Sequence, residues 1–222
     1  MRWRTAILPR VGVPLPIAVL VSGAGTNLQA LLDTVHGREA EIVAVASNVA
    51  DAPALERAAA REVPWRVFAR SEYPDRAARD RALADWFTER GARLVVGAGY
   101  MELLGSSFLA RFPDAVINVH PSLLPAFPGL GAVEQALAYG VKVFGVTVHF
   151  VDDGVDSGPV ILQRAVELPE AREPGEVLAA LRPLEHALLA EAVRLFAAGA
   201  LTASAEQPPP AEDRPAGGPG EG

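Results

Sequence analysis

The stretch Asn118-Val119-His120-Pro121-Ser122-Leu123-Leu124-Pro125 carries an amide and an imidazole two positions apart. On an extended segment alternate side chains share a face, so Asn118 and His120 point the same way. An amide N–H beside an imidazole can hold a developing oxyanion. Pro121 and Pro125 restrict the backbone and stiffen that geometry. A carboxylate to complete the set is available in Asp152-Asp153-Gly154-Val155-Asp156-Ser157-Gly158-Pro159. If one of these reached His120, it would favour the charged ring and orient it. The plain alternative is a buried polar turn without chemistry.

A second candidate is Ser22-Gly23-Ala24-Gly25-Thr26-Asn27, between an apolar run and a helical stretch. Glycines let the chain turn sharply and expose N–H groups at a helix N-terminus, which favours an anion such as phosphate. Thr26 or Asn27 can cap that helix. The P-loop pattern fails, because Gly25 is followed by Thr26-Asn27 rather than Lys-Ser/Thr. The dinucleotide pattern fails too, because Leu28 stands at the place of its third glycine. The loop is therefore a phosphate loop of another kind, or a tight turn with no ligand.

The other histidines are weaker candidates. His149 falls within a strand and reads as a packed core residue. His36 reads as a cap at a helix end, and Ser122 as structural. With no cysteine and 4 histidines, neither a zinc site nor thiolate chemistry is expected.

The elements that must position these residues alternate. Apolar, β-rich runs occur at 17–21, 42–46, 65–68, 94–96 and 115–118, with helical stretches at 28–35, 54–61 and 76–90 between the first four. Short buried strands separated by helices predict right-handed βαβ units and a parallel sheet. The candidate loops then follow strands, and open α/β sheets bind ligands beyond the carboxyl ends of their strands. After Asn118 the pattern changes. Runs 142–151 and 160–166 read as strands joined by a Gly/Asp-rich loop, and a long amphipathic helix, 174–198, closes the fold. The expected class is α/β: a mostly parallel central sheet with flanking helices, Rossmann-like, with an antiparallel addition in the C-terminal half.

Residues 1–14 read as an N-terminal extension, 15–202 as the folded domain, and 203–222, rich in Pro, Gly and charge, as a disordered tail. The chain has 222 residues, 50% of them hydrophobic, which is enough for one core. Its net charge of -7 is a poor match for a nucleic-acid backbone. The apolar run at 17–21, broken upstream by Pro14 and Pro16, is too short for a signal segment, and no stretch has the roughly 18 apolar residues of a membrane span. A cytoplasmic protein is expected, with small-molecule substrates as partners, no nucleic acid, no membrane, and a homodimer left open.

Taken together, SGAGTN, SNVADAPALERA, NVHPSLLPAFPG, GVTVHFVDDGVDSGPVILQ and LEHALLAEAVRLFAAG make the chain resemble the glycinamide ribonucleotide formyltransferase family over about residues 16–199. The resemblance implies that a formyl group moves from 10-formyltetrahydrofolate, a co-substrate, onto the substrate amine in purine synthesis. It implies a catalytic trio of Asn118, His120 and Asp156, and no metal. Gly25, Thr26 and Asn27 match the nucleotide phosphate site, Glu185 matches the carboxylate that receives the amine, and Arg182 matches a phosphate-facing position. Met101, Leu103 and Leu104 match the segment that holds the pterin, partly through backbone groups, and the 152–156 loop, with Asp152 and Asp153, closes over it. Arg76 matches a residue facing the folate glutamate tail.

The chain also departs from the family. Glu102 stands where an Arg commonly faces the folate glutamates, and at a solvent-exposed mouth its charge would repel that tail. Gly131 and Val133 stand where some members carry His, and Val49 where related sequences carry Lys. Formyltetrahydrofolate deformylase shares the trio but uses water as acceptor and usually has a regulatory domain ahead, where this chain has about 14 residues. Methionyl-tRNA formyltransferase usually adds a C-terminal RNA-binding domain, where this chain has an acidic tail. A non-catalytic phosphate-binding module would need SGAGTN but not the trio.

Overall fold

A computed structural model describes residues 13–201. Most of the expected extension and all of the expected tail lie outside the described residues. The strands are β1 (Leu15–Val21), β2 (Ala40–Ser47), β3 (Trp65–Val67), β4 (Leu94–Gly97), β5 (Val116–His120), β6 (Val143–Phe150) and β7 (Val160–Glu167). They form one 7-stranded sheet in the order β3-β2-β1-β4-β5-β6-β7. Pairings from β3 through β5 are parallel, and those of β6 with β5 and β7 are antiparallel. The α/β sheet with its antiparallel addition is therefore as the sequence pattern predicts.

The helices are α1 (Thr26–Thr34), α2 (Ala54–Ala60), α3 (Arg76–Glu89), α4 (Ser106–Leu109), α5 (Ala132–Tyr139) and α6 (Pro174–Ala197). Central strands are apolar along their whole length because helices cover both faces. In β1, all residues but Pro16 are buried. The chain leaves β1 toward β2 and β3, then returns to β4 on the other side of β1. That reversal opens a crevice beyond the carboxyl ends of β1 and β4.

Helix α6 packs across α1, β6 and β7. Glu173 and Glu176 form a reciprocal capping box at its start, and Pro174 occupies the first turn, where its missing N–H costs nothing. Among the described residues no helix is long and apolar enough to cross a membrane.

Three local expectations need correction. Neither Thr26 nor Asn27 caps α1: the N-cap is Gly25, left-handed at φ 71°, with no side-chain cap. His36 does not cap a helix either; its Nδ1 accepts from the Ile42 N–H at the start of β2. The region between β5 and β6, assigned no helix from the pattern, contains α5. Its eight residues lie between Gly131 and Gly140, both left-handed, and bury Ala132, Val133 and Ala136. So short a helix shows little periodicity, and the Pro/Gly-rich approach hides its start.

Candidate active site

Sheet register assembles the first pair. Asn118 and His120 lie on β5, and Asn118 pairs directly with His149 of β6, so all three side chains leave the same face. On the other side, Asn118 pairs with Gly97 of β4. A Cβ at Gly97 would meet the Asn118 Oδ1 at 2.6 Å, so the glycine makes room for the amide.

After β6 the chain turns back, and Asp156, left-handed at φ 50°, swings its carboxylate under both imidazoles. Its Oδ2 lies 3.3 Å from His120 Nδ1, and its Oδ1 lies 3.4 Å from His149 Nε2. The Gly129 N–H also donates to Oδ2, at 2.8 Å. Burial pushes the Asp156 pKa up, but hydrogen bonds from His149 and Gly129 and the nearby imidazoles outweigh it. The carboxyl is held down at about 2.

His120 is buried, and its Nε2–H donates to the Phe127 carbonyl at 2.9 Å. Phe127 is itself left-handed at φ 54°, an uncommon conformation for a bulky residue. Both ring nitrogens of His120 thus face acceptors, an arrangement that suits the imidazolium. The Pro-rich loop is tied down by Thr147, whose hydroxyl donates to the Ser122 carbonyl at 2.7 Å and accepts from the Leu124 N–H at 3.1 Å. Ser122 donates to the Ala126 carbonyl, in keeping with a structural role.

Asn118, His120, His149 and Asp156 line one cavity of about 330 Å³, together with Met101, Glu102, Leu103, Leu104 and Asp152. Its apolar walls with a few convergent polar groups suit a flat heterocycle.

Around the 22–27 loop, the uncapped α1 leaves its first N–H groups without intrahelical partners. Gly25 is required twice over: φ is positive, and a Cβ would meet the Ala54 Cβ at 2.5 Å. Asn27 Nδ2 donates to Glu185 Oε2 at 3.2 Å, joining α1 to α6. Burial raises the Glu185 pKa, against the opposing effects of Asn27 and Arg182. Arg182 is exposed one turn earlier.

Residues 15–193 match the formyl transferase family. The chain belongs to that family. It is 38% identical over 187 residues to the phosphoribosylglycinamide formyltransferase of Haemophilus influenzae, covering 83% of this chain and 88% of that protein. It is 40% identical to the trifunctional purine biosynthetic protein adenosine-3 of Drosophila pseudoobscura pseudoobscura, over 83% of this chain but only 14% of that longer protein. The crystal structure of glycinamide ribonucleotide transformylase 1 from Symbiobacterium toebii superposes with a TM-score of 0.82 at 47% identity, covering 85% of this chain and 90% of that one.

Within this formyl transferase the expected site residues fall into groups. The trio meets as expected. Gly25, Thr26, Asn27, Arg182 and Glu185 lie outside the cavity, as do Arg76 and Asp153. Arg76 is exposed, its guanidinium over Gly105. Asp152 folds inward onto its own loop, accepting from the Gly154 N–H and the Ser157 hydroxyl. The Met101 N–H is engaged by Ser22 Oγ at 2.8 Å, so that backbone donor serves the fold.

Glu102 requires a correction. It is not an unpaired carboxylate at an open mouth. Its Oε2 forms an ion pair with the buried Arg79, and its Oε1 accepts from Asn48 Nδ2 at 3.1 Å. Gly131 starts α5 at the cavity wall and Val133 is buried in the core, so neither offers a polar side chain to the cavity. His149 was missed as a site residue. It is buried within a strand, as a core residue would be, but its register with Asn118 and contact with Asp156 place it in the site. Only strand order could have revealed this.

Proposed function

We propose that the chain transfers the formyl group of 10-formyltetrahydrofolate to the amine of 5'-phosphoribosylglycinamide, a step of purine synthesis. The observation that carries this reading is the His120–Asp156 pair, set beside Asn118 on the wall of the cavity.

In this reading the amine nitrogen attacks the formyl carbon, and the carbonyl oxygen becomes an oxyanion. The charged His120 and the Asn118 amide stabilise it. For His120 to turn Nε2–H to the oxyanion, its bond to the Phe127 carbonyl is released or shared. The C–N bond to the folate then breaks, and the proton lost by the amine ends on the folate nitrogen. A carboxylate held at about 2 is a weak base, so Asp156 acts first by orienting the His120 ring and countering charge that develops on it; it passes the proton only transiently, through water. Holding both reactants in line contributes most of the rest, up to ~7–11 kcal/mol of barrier.

Gly25, Thr26 and Asn27 receive the substrate phosphate at the open start of α1, helped by Arg182, and Glu185 receives the amine. Met101, Leu103, Leu104 and the 152–156 loop enclose the pterin, and Arg76 faces the glutamate tail. The transferase names of the matched relatives favour an amine acceptor over water.

The deciding experiment mixes the protein with 10-formyltetrahydrofolate, with and without 5'-phosphoribosylglycinamide, and follows free tetrahydrofolate. Release that requires the amine supports the transferase. Equal release without it identifies a deformylase.

A further inference from the structure

Segment 101–105 forms one wall of the cavity, yet it belongs to no strand, and Met101 and Leu103 are more than half exposed. Such a segment needs outside restraint to hold a shape. The restraint is polar and continuous. The Met101 N–H donates to Ser22 Oγ at 2.8 Å, and that hydroxyl donates to Asn48 Oδ1 at 2.6 Å. Asn48 Nδ2 donates to Glu102, and Glu102 pairs with Arg79. Arg79 donates to Asp80 Oδ1 at 2.8 Å and, more weakly, to the Leu103 carbonyl at 3.4 Å. Asp80 Oδ2 accepts from the Gly105 N–H at 2.8 Å.

Arg79 and Asp80 are both fully buried on α3, where charges are retained only when paired and hydrogen-bonded. Three attachment points, at Glu102, Leu103 and Gly105, therefore connect the wall directly to α3. Met101 and Glu102 also connect it to Ser22, the residue that opens the 22–27 loop, and to Asn48, just beyond the end of β2.

We propose that Glu102 and Arg79 are positioning residues for the folate site: with Ser22, Asn48 and Asp80 they clamp the 101–105 wall and tie its shape to the phosphate loop. The ligand assignment rests on the function proposed above; the clamp itself does not. Glu102 acts through the backbone it holds and not by touching the glutamate tail. Loosening the clamp lowers donor affinity by letting the wall fluctuate, so the loss falls on the KM for the donor more than on kcat.

The test uses Glu102→Gln, Ser22→Ala and the double variant of the full chain. Ser22→Ala leaves every charge in place, so it reports on the clamp even if the Glu102 change disturbs folding. Two quantities are read: the Kd for a non-transferable folate analogue, and amide hydrogen exchange at Met101 and Gly105 without ligand. Each single variant is expected to weaken analogue binding about five- to tenfold, the effect of one lost hydrogen bond to a charged or buried group. Exchange at Met101 is expected to speed up in both, and the double variant is expected to bind better than the product of the single effects requires. Strictly additive losses, or unchanged exchange at Met101 in Glu102→Gln, overturn the clamp. If the unaltered chain fails to bind the analogue, the folate reading falls, while the exchange data still decide whether the clamp exists.

Discussion

Two buried charge clusters border the same cavity and differ in what their hydrogen bonds hold. In the cluster of His120, Asp156 and His149, the His120 ring is held by one backbone carbonyl and one carboxylate, both on loops with left-handed residues. In the cluster of Arg79, Asp80 and Glu102, the donors and acceptors close on each other and on the backbone of 103–105. Under the proposed function, the first offers a proton to the substrate once the His120 Nε2–H leaves the Phe127 carbonyl. The second keeps a wall in place. Burial and ion pairing alone do not separate chemistry from scaffolding; what the hydrogen bonds hold does.

That contrast breaks first, and most heavily, at the trio. His120→Ala is expected to lower kcat at least ~100-fold with folding intact, measured in single-turnover assays and by circular dichroism. Asp156→Asn is expected to act similarly, with a pH signature. The Asp156 pKa is depressed from the usual carboxylate value of about 3.9. Its stabilising contribution is thus present above that value and lost as pH falls through about 2. The melting-temperature gap between the parent and Asp156→Asn should accordingly narrow as pH falls from about 4 toward about 2. A gap that stays constant with pH would show that the charge does not matter.

Glu102→Arg probes the second cluster. It places a guanidinium against the buried Arg79 and leaves that charge without its partner. We expect weaker donor binding and a Tm lower by roughly 5 °C, because unpairing a buried charge costs several kcal/mol at full burial and less at a partly exposed partner. Tighter binding, the outcome for a free carboxylate at an open mouth, would undo the distinction.

His149→Ala sharpens the first cluster. Asp156 loses a hydrogen-bond donor, so its pKa rises, and the acid limb of the kcat profile moves to higher pH with a fall in kcat of about tenfold. A profile identical to that of the parent would return His149 to the core.

The smallest effect is expected at Glu185. Burial raises its folded pKa, so its contribution to stability is present below the unfolded value and lost as pH rises through the folded one. Glu185→Gln should therefore melt about 2 °C higher at pH 7 while the KM for the amine substrate rises. A lower Tm would mean that the carboxylate stabilises the fold.

Much of this was legible in the chain. The β-rich runs gave every strand of the sheet, because apolar strands covered on both faces leave an unbroken signal. Asn118 and His120 stood out by residue type and spacing, the resemblance picked Asp156 from the carboxylates of its loop, and Asp156 meets His120. Helix α5 was hidden because eight residues between glycines show little periodicity. His149 was hidden because its partner is a register neighbour 31 positions away. Glu102 was misread because its cation, Arg79, is one of several arginines in α3, and nothing in the sequence marks it as the one that is buried.

The sequence by itself therefore determined the class of sheet, the loops that follow its strands, and the residue types capable of oxyanion chemistry. These depend on local pattern: period, glycine, proline and adjacency. Only the tertiary structure decided which side chains share a charge. Coulombic and hydrogen-bond partners are set by strand order and helix docking, and these bring Asp156 between two imidazoles and Glu102 onto Arg79. Spacing along the chain carries no record of either.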